Sequence, residues 1–277
     1  KVPHLSGFAR PQLVLPESPF WRILSFKQRV GYRAKNFMTK YSFKKCADNY
    51  FTENPFISKR LQELFPYKKI YTITNNANQV FMHPDLWKKD VELPPFRGIT
   101  LLTVSANYPH KNLHIIIPVC HYLEKRYPSL SFRFVLTIQE DDLQGIDECV
   151  RKHLIFLGPV KIEQVPYLYE QCNIMFLPTL LECFSASYAE AMVMRKPILT
   201  TDLNFARGLC GNAAQYFEAT SIESLGNCIY KMANDKNLRE RLVEYGTLQL
   251  QKFDTFEQRA DKLIRLTEKV AIRYLQK

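Results

Sequence analysis

The sequence predicts an α/β protein whose main domain is a doubly wound parallel sheet. From residue 97 onward, short apolar runs typical of buried strands alternate with helical segments through short connections. Parallel strands need crossover helices, and those helices cover both faces of the sheet. The chain has 277 residues and 46% hydrophobic content, which is enough to bury such a core.

For the N-terminal part of the chain, the sequence predicts a less regular arrangement of helices and strands. Residues 1–20 contain four prolines and are expected to form strand and loop rather than helix. A basic helical pattern follows at 21–45, and strands are expected at 47–52 and 70–74 around a short helix at 57–64.

From residue 97 onward, the sequence predicts six strands and seven helical segments. The strands are expected at 99–105, 132–137, 154–157, 174–177, 197–201 and 214–217. The helices are expected at 112–126, 147–152, 162–171, 185–195, 221–234, 237–252 and 255–276. In Rossmann-type sheets of this kind, ligands bind at the carboxyl ends of the strands. We therefore divide the chain into an N-terminal part (1–84), a linker (85–96), a ligand-binding domain (97–253) and a C-terminal helix (254–277).

Charge and cysteine content restrict the partners. Residues 1–70 hold 14 Lys and Arg against 4 Asp and Glu, so nearly all of the net charge of +11 lies there. This block is compatible with nucleic acid, an acidic membrane surface or a phosphorylated lipid, and also with a solvated helix face. Its interleaved aromatic residues favour a membrane slightly. Seven scattered cysteines without a CxxC pair argue for reduced thiols in a cytosolic setting, against a disulfide framework and against a zinc site.

The most informative segment runs from a buried strand through a loop carrying Glu182 into a helix carrying Glu190. The first helical turn is small and hydroxylated, with Ser185 and Ser187. A helix N-terminus attracts phosphate, and carboxylates on either side can accept hydrogen bonds from the vicinal hydroxyls of sugars. The two serines also suit helix capping, which uses the same helix end. Glu190 lies next to Ala189, at a position that we expect to be buried. A buried carboxylate needs hydrogen-bond partners.

A loop lysine completes the pattern. Lys111 follows the first strand of the main domain, on the sheet edge expected to hold Glu182, and can neutralise a diphosphate or simply be solvated. The chain has no GxGxxG and no P-loop motif, so the usual dinucleotide and P-loop mechanisms are unsupported. The six histidines show no metal-ligand spacing.

These residues together resemble the retaining, nucleotide-sugar-dependent family 4 glycosyltransferases, which have the GT-B architecture of two Rossmann-like domains. Glu182 and Glu190 in ECFSASYAE match the family's Glu-x7-Glu signature, and Lys111 in HKNL matches its loop lysine. The segments FLGPV and YEQCNIMFLP also fit, so the resemblance covers residues 99–253.

The resemblance implies a role for each matched position. Glu190 receives the ribose hydroxyls, and Lys111 with the backbone amides of Ser187 and Tyr188 holds the diphosphate. Glu182 with the amides of Phe184 and Ser185 holds the transferred sugar. Val160 and Ile162 border the nucleobase. Such enzymes need no metal and no cofactor beyond the nucleotide-diphosphate sugar, and residues 97–253 become its donor-binding domain.

The implied activity is transfer of a sugar to a glycan or lipid-linked acceptor with retention, in cell-surface polysaccharide synthesis at the cytoplasmic face of a membrane. The chain departs from the family at Ala106, where an arginine is frequent, and at Cys183, where glycine is usual. It opens at Lys1 without methionine and lacks about half of the expected N-terminal domain, which indicates a fragment whose catalysis is in question.

Three alternatives stay open from the residues alone. The first is a nucleotide-sugar epimerase or phosphorylase of similar fold. The second is a nucleotide-sugar-binding domain without catalysis. The third, which the absence of a nucleic-acid-binding module disfavours, is a basic nucleic-acid-binding protein. The nucleobase, the sugar, the acceptor and the oligomeric state are not encoded in any motif of the chain.

Overall fold

The computed structural model describes residues 3–275, which form two compact units. Within the described residues, unit 1 consists of 3–76, Leu181–Ser185 and 252–275. Unit 2 consists of Ala77–Leu180 and Ala186–Gln251. The loop that carries Glu182 thus belongs to unit 1, whereas the helix that carries Glu190 belongs to unit 2.

Unit 1 is built on a three-stranded parallel sheet. Its strands are β1 (Leu5–Gly7), β2 (Asn49–Thr52) and β3 (Lys69–Thr72), in that spatial order. Tyr50 of β2 is almost completely buried and pairs in register with Ile70 of β3.

Four helices accompany these strands: α1 (Pro11–Val14), α2 (Phe20–Ile23), α3 (Phe26–Cys46) and α4 (Pro55–Leu64). The prediction of only strand and loop for residues 1–20 is wrong at α1, which begins at a proline because the first helical turn needs no N–H donor there. Ser25 and Gln28 form a capping box that begins α3. None of the 21 residues of α3 is fully buried.

Unit 2 contains a six-stranded parallel sheet, and the α/β fold class is confirmed. Its strands are β4 (Ile99–Thr103), β5 (Phe132–Leu136), β6 (Leu154–Phe156), β7 (Ile174–Leu177), β8 (Ile198–Thr201) and β9 (Ala214–Phe217). The spatial order is β6-β5-β4-β7-β8-β9. The chain winds outward from β4 in one direction and from β7 in the other, so the winding reverses between these two central strands.

The helices of unit 2 agree closely with the predicted segments. They are α5 (Ile116–Arg126), α6 (Glu148–Arg151), α7 (Val165–Glu170), α8 (Ala186–Val193), α9 (Asn204–Cys210), α10 (Ile222–Asn234) and α11 (Lys236–Leu250). The helix predicted from residue 112 begins later, at Ile116, because Asn112 adopts a left-handed conformation (φ 55°) between two short 3-10 turns. The sequence analysis missed α9, whose seven residues are too few for a clear helical period.

The ends of the predicted segments can be followed in the structure. At 85–96, the predicted linker, Leu93 N–H donates to the Gln171 side chain (2.7 Å) and Lys88 N–H donates to the Glu163 carbonyl (2.8 Å), all within unit 2. The final helix α12 (Phe256–Leu275) belongs to unit 1. The outermost residues of the segments 1–84 and 254–277 lie outside the described residues, and the domain limits stay predictions.

No described helix has the length and apolar character of a membrane span.

Candidate functional site

The centre of the candidate site is the point in unit 2 where the winding of the sheet reverses. The loops that follow β4 and β7 leave the sheet on the two sides of this point, and ligands of open α/β sheets bind in the crevice between such loops. The two loops are joined, because the His110 carbonyl accepts a hydrogen bond from Leu180 N–H (2.7 Å) and another from the Thr179 hydroxyl (3.2 Å). The structure thus brings the turn that carries Lys111 next to the segment leading into the Glu182 loop.

Glu190 is held by an unusually apolar helix. In α8 the neighbouring residues Tyr188, Ala189, Ala191 and Met192 are all buried, and Glu190 itself is only 6% exposed. Burial raises the pKa of Glu190 to about 7, because a carboxylate loses its hydration in this environment. A buried carboxyl that is half ionised near neutrality in a helix after a central strand is a functional-site candidate.

Tyr169 is a functional candidate that the sequence analysis missed. Its side chain on α7 is fully buried, its hydroxyl donates to the Ser187 carbonyl (3.4 Å), and its ring meets Phe81 edge to face at 5.9 Å. Hydrogen bonding with Tyr169 lowers the pKa of Glu190 and so opposes part of the effect of burial. The signal was present in the segment YEQCNIMFLP, but the sequence does not show that this tyrosine faces Glu190.

The first turn of α8 is open to solvent on one side. Ala186 is exposed and Ser187 is half-buried, so the N-terminal amides of this eight-residue helix lie at the surface of unit 2. The side chain of Tyr188 points into the core, where its hydroxyl is 2.8 Å from that of Thr200. Tyr188 can therefore contribute its backbone amide to a ligand, as the resemblance implies, but not its hydroxyl.

The sugar-side residues lie in the loop that belongs to unit 1. Glu182 is 9% exposed and Ser185 is 6% exposed, while Phe184 meets Phe253 edge to face at 6.0 Å. Burial raises the pKa of the Cys183 thiol, and the neighbouring carboxylates of Glu182 and Glu53 raise it further. Cys183 is therefore a neutral, buried side chain rather than a nucleophile.

The candidate nucleobase residues follow β6 at one edge of the sheet. Gly158 takes a positive φ of 66° and turns the chain, after which Val160 is half-buried and Ile162 is 38% exposed. Strand β6 is two places from β4, so the β6 loop lies about 10 Å across the sheet from the β4 loop. This separation is on the scale of a nucleoside.

One group of side chains among residues 3–275 has metal-ligand chemistry: His121, Asp147 and Cys149, whose ligand atoms lie within 4.8 Å of one another. The His121 Nε2 atom is 3.1 Å from Asp147 Oδ2, and Asp147 Oδ1 accepts from Val150 N–H (2.9 Å) to cap α6. The carboxylate therefore already has a structural role between α5 and α6, and none of the three residues belongs to the candidate site.

Several solved structures share the fold of this chain. Sucrose-phosphate synthase from Thermosynechococcus elongatus aligns with 96% of this chain and 67% of its own length, at a TM-score of 0.74 and 15% identity. A TarM variant from S. aureus, solved with Fondaparinux, alpha-GlcNAc-glycerol and UDP, aligns with 84% of this chain and 46% of its own length, at a TM-score of 0.65 and 14% identity. The fold is that of the GT-B glycosyltransferases.

Residues 88–249 match the family described as Glycosyl transferases group 1, and the chain belongs to this family. A curated relative, the O-antigen chain mannosyltransferase RfbU of Salmonella typhimurium, is 26% identical over 206 residues, which are 72% of this chain and 53% of RfbU. The chain spans about half the length of this relative. The matched family region contains Lys111, Val160, Glu182 and Glu190.

Proposed function

We propose that the chain is the donor-binding part of a retaining family 4 hexosyltransferase that uses a nucleotide-diphosphate sugar. The observation that carries the proposal is Glu190, a buried carboxyl on the helix that follows a central strand at the reversal of the sheet. Its burial has a cost of free energy that the hydrogen bond with Tyr169 offsets in part, and vicinal ribose hydroxyls donating to the carboxylate add further partners.

The other site residues take roles that fit their positions. The Lys111 turn and the amides of Ser187 and Tyr188 receive the diphosphate, since a lysine and a helix N-terminus both favour negative charge. Val160 and Ile162 border the nucleobase. Glu182, with the amides of Phe184 and Ser185, receives the hydroxyls of the transferred sugar.

Charge stabilisation of the departing diphosphate by Lys111 and the helix end makes a metal unnecessary in this proposal. The sugar acceptor attacks the same face from which the nucleotide departs, so the bond to the anomeric carbon re-forms with the configuration retained. The C1–O bond to the diphosphate breaks, the acceptor oxygen bonds to C1, and its proton leaves with the diphosphate.

The name of the RfbU relative makes mannose the first sugar to test and an O-antigen-like, lipid-linked glycan the first acceptor. The basic block within residues 1–70 favours a peripheral location on an anionic membrane surface, which we propose to be the cytoplasmic face. Sedimentation with phosphatidylglycerol vesicles tests this part: binding that falls with salt supports it, and absent or salt-independent binding contradicts it.

Calorimetric titration with UDP, GDP and ADP tests the donor site. We expect one nucleotide to bind and Glu190→Ala to raise its Kd at least about tenfold, through the loss of a charge-assisted hydrogen-bond partner. Glu244→Ala, at an exposed position of α11, is the matched control and should leave the Kd unchanged. Equal binding by the Glu190 variant, or no binding of any nucleotide, contradicts the proposal.

A second candidate, nucleotide-sugar binding without transfer, is favoured by one observation: the chain spans 53% of RfbU. Incubation with GDP-mannose or UDP-glucose and a lipid-linked acceptor separates the two candidates. A glycosylated product of unchanged anomeric configuration supports the transferase, whereas binding without product supports the second candidate. A 2- or 4-epimer of the donor sugar indicates an epimerase instead.

A further inference from the structure

A cavity in unit 1, separate from all residues of the donor site, has the chemistry of a ligand site. It has a volume of about 340 Å³ and lies between α1, α2 and one side of α3. This volume is within the range of small-molecule sites. Its charged lining residues are Arg29, Arg33 and Lys40, and no lining residue is acidic.

The three cations lie on one side of α3 because residues four and seven positions apart share a helix face. Arg33 and Lys40 make no hydrogen bond or ion pair with a described residue, so their charges are available to a ligand. The nearby acids Glu17 and Glu63 both bind Arg60, at 2.9 and 3.0 Å, and do not neutralise the cavity. The cavity therefore attracts anions.

The same place contains the buried polar atoms of the described chain that lack a hydrogen-bond partner. They are Arg10 Nε, Gln12 Oε1, Arg29 Nε and Asn36 Oδ1, and the last three residues line the cavity. Buried polar groups are normally paired, since an unpaired one costs free energy. Three such atoms on residues that line one cavity indicate that a ligand supplies the partners.

The neighbouring contacts hold these groups in position. Asn36 Nδ2 donates to the Gln12 carbonyl (2.9 Å), which leaves Asn36 Oδ1 as a pure acceptor. Arg29 Nη2 donates to the Leu24 carbonyl (3.2 Å), which leaves its Nε as a donor. The Trp21 indole N–H donates to the Leu15 carbonyl (2.9 Å), so that its ring contributes an apolar face to the lining.

We propose that this cavity binds a phosphorylated sugar. The amide oxygens of Gln12 and Asn36 accept only, so they require hydroxyl donors, whereas the guanidinium groups of Arg29 and Arg33 require an anion such as phosphate. Trp21 and Phe37 provide apolar surface for the C–H face of a pyranose. A molecule with hydroxyls, an apolar ring face and a phosphate meets all of these needs.

The ligand is either a soluble sugar phosphate or the sugar-phosphate headgroup of a lipid, since both present the same chemistry. Its role as acceptor or acceptor carrier rests on the proposed transferase function. Its binding does not, because every residue of the cavity belongs to unit 1 and none belongs to the donor site.

The first experiment titrates the chain with mannose 6-phosphate, mannose and inorganic phosphate at one ionic strength. We expect mannose 6-phosphate to bind at least about tenfold more tightly than either component, because only it reaches both kinds of group. Arg33→Ala should weaken it about tenfold without unfolding the chain, since Arg33 is exposed and contact-free. Asn36→Ala should weaken the sugar phosphate more than inorganic phosphate.

Lys35→Ala is the matched control, because it removes the same charge from the same helix at a position that does not line the cavity. Equal weakening by Lys35→Ala and Arg33→Ala, or no binding of mannose 6-phosphate, overturns the proposal and leaves diffuse attraction of anions. Nucleotide titration of Arg33→Ala should be unchanged, so failure here is distinguishable from failure of the donor site.

Vesicles of phosphatidylcholine with phosphatidylinositol distinguish the two sources of the ligand. Vesicle binding that requires Arg33 and is displaced by mannose 6-phosphate assigns the cavity to a lipid headgroup. Binding of the soluble sugar phosphate without vesicle binding assigns it to a free ligand.

Discussion

Glu190 is the residue at which burial and charge conflict most directly. Its pKa of about 7 in the folded chain lies above the ordinary value of 4.5, so the folded state binds a proton more tightly than the unfolded state. The contribution to stability is therefore full below pH 4.5 and decreases as the pH rises toward 7. The total effect is about 3 kcal/mol by proton linkage.

We expect Glu190→Gln to remove this pH dependence. The variant should match the wild-type chain in urea midpoint at pH 4.5 and exceed it at pH 8, because glutamine never ionises. Glu244→Gln, which changes an exposed carboxylate, should reproduce the wild-type profile. A Glu190→Gln profile parallel to that of the wild type between these pH values would show that burial does not hold the carboxyl in its neutral form.

We expect Tyr169 to act through Glu190, as a positioning residue rather than a ligand contact, because its hydroxyl hydrogen-bonds with this carboxyl. Tyr169→Phe removes the hydroxyl whose hydrogen bonding lowers the pKa of Glu190, so the ionisation of Glu190 should shift to higher pH. If Glu190 accepts the ribose hydroxyls as proposed, nucleotide binding needs its ionised form and should then reach its maximum at higher pH than in the wild type. Calorimetric titrations from pH 6 to 8.5 measure this shift, and an unchanged pH profile rules the role out.

At the scale of elements, helix packing in unit 2 depends on glycine where the sequence pattern does not reveal it. A Cβ at Gly226 of α10 would overlap the ring of Tyr122 on α5, whereas a Cβ at Gly246 of α11 would lie 3.4 Å from the flexible Met192 side chain. The two glycines have similar helical surroundings in sequence but different neighbours in space.

The matched substitutions should therefore have opposite effects. Gly226→Ala should destabilise the chain by about 1–3 kcal/mol through overpacking, since an aromatic ring held by its neighbours cannot move away cheaply. Gly246→Ala should stabilise the chain by about 0.5–1 kcal/mol, because alanine lowers the backbone entropy of the unfolded state. Urea denaturation measures both, and a destabilised Gly246→Ala with an unaffected Gly226→Ala would contradict the packing.

At the scale of the whole molecule, helix α12 stabilises unit 1 by packing against segments from the start of the chain. Leu266 and Val270 of α12 pack with Ile73 in a small buried cluster. Arg259 Nη1 donates to the carbonyls of Ile73 (3.2 Å) and Thr74 (3.0 Å), and its Nη2 atom is 2.7 Å from Glu53 Oε1. This one guanidinium thus connects α12 to two earlier segments.

We expect Arg259→Ala to cost about 2 kcal/mol, because two carbonyls and a partly buried carboxylate lose their donor. Arg265→Ala removes a similar charge from the same helix, but the pair of Arg265 with Asp261 is exposed and contributes at most about 0.5 kcal/mol. Thermal unfolding of both variants measures the difference. Equal melting temperatures would mean that Arg259 does not stabilise unit 1.

The sequence was sufficient for the elements of unit 2, because apolar strands and periodic helices are local patterns. All six strands of the sheet lie within one or two residues of their predicted limits. It was insufficient for α1 and α9, which are too short for a period, and for the start of α5, which Asn112 delays by adopting a left-handed conformation. The candidate pair Glu182 and Glu190 could be found because both residues lie in one contiguous motif.

By itself, the sequence determined the α/β class, the order of the elements and the chemical type of the candidate-site residues, since these depend on local patterns and residue identity. Only the tertiary structure decided which strands are central, that Tyr169 faces Glu190, and that the basic side of α3 meets Gln12 over a cavity. Each of these depends on contacts between residues far apart in the chain. Such contacts set burial, and burial sets the pKa of Glu190 and the unmet hydrogen bonds of the cavity.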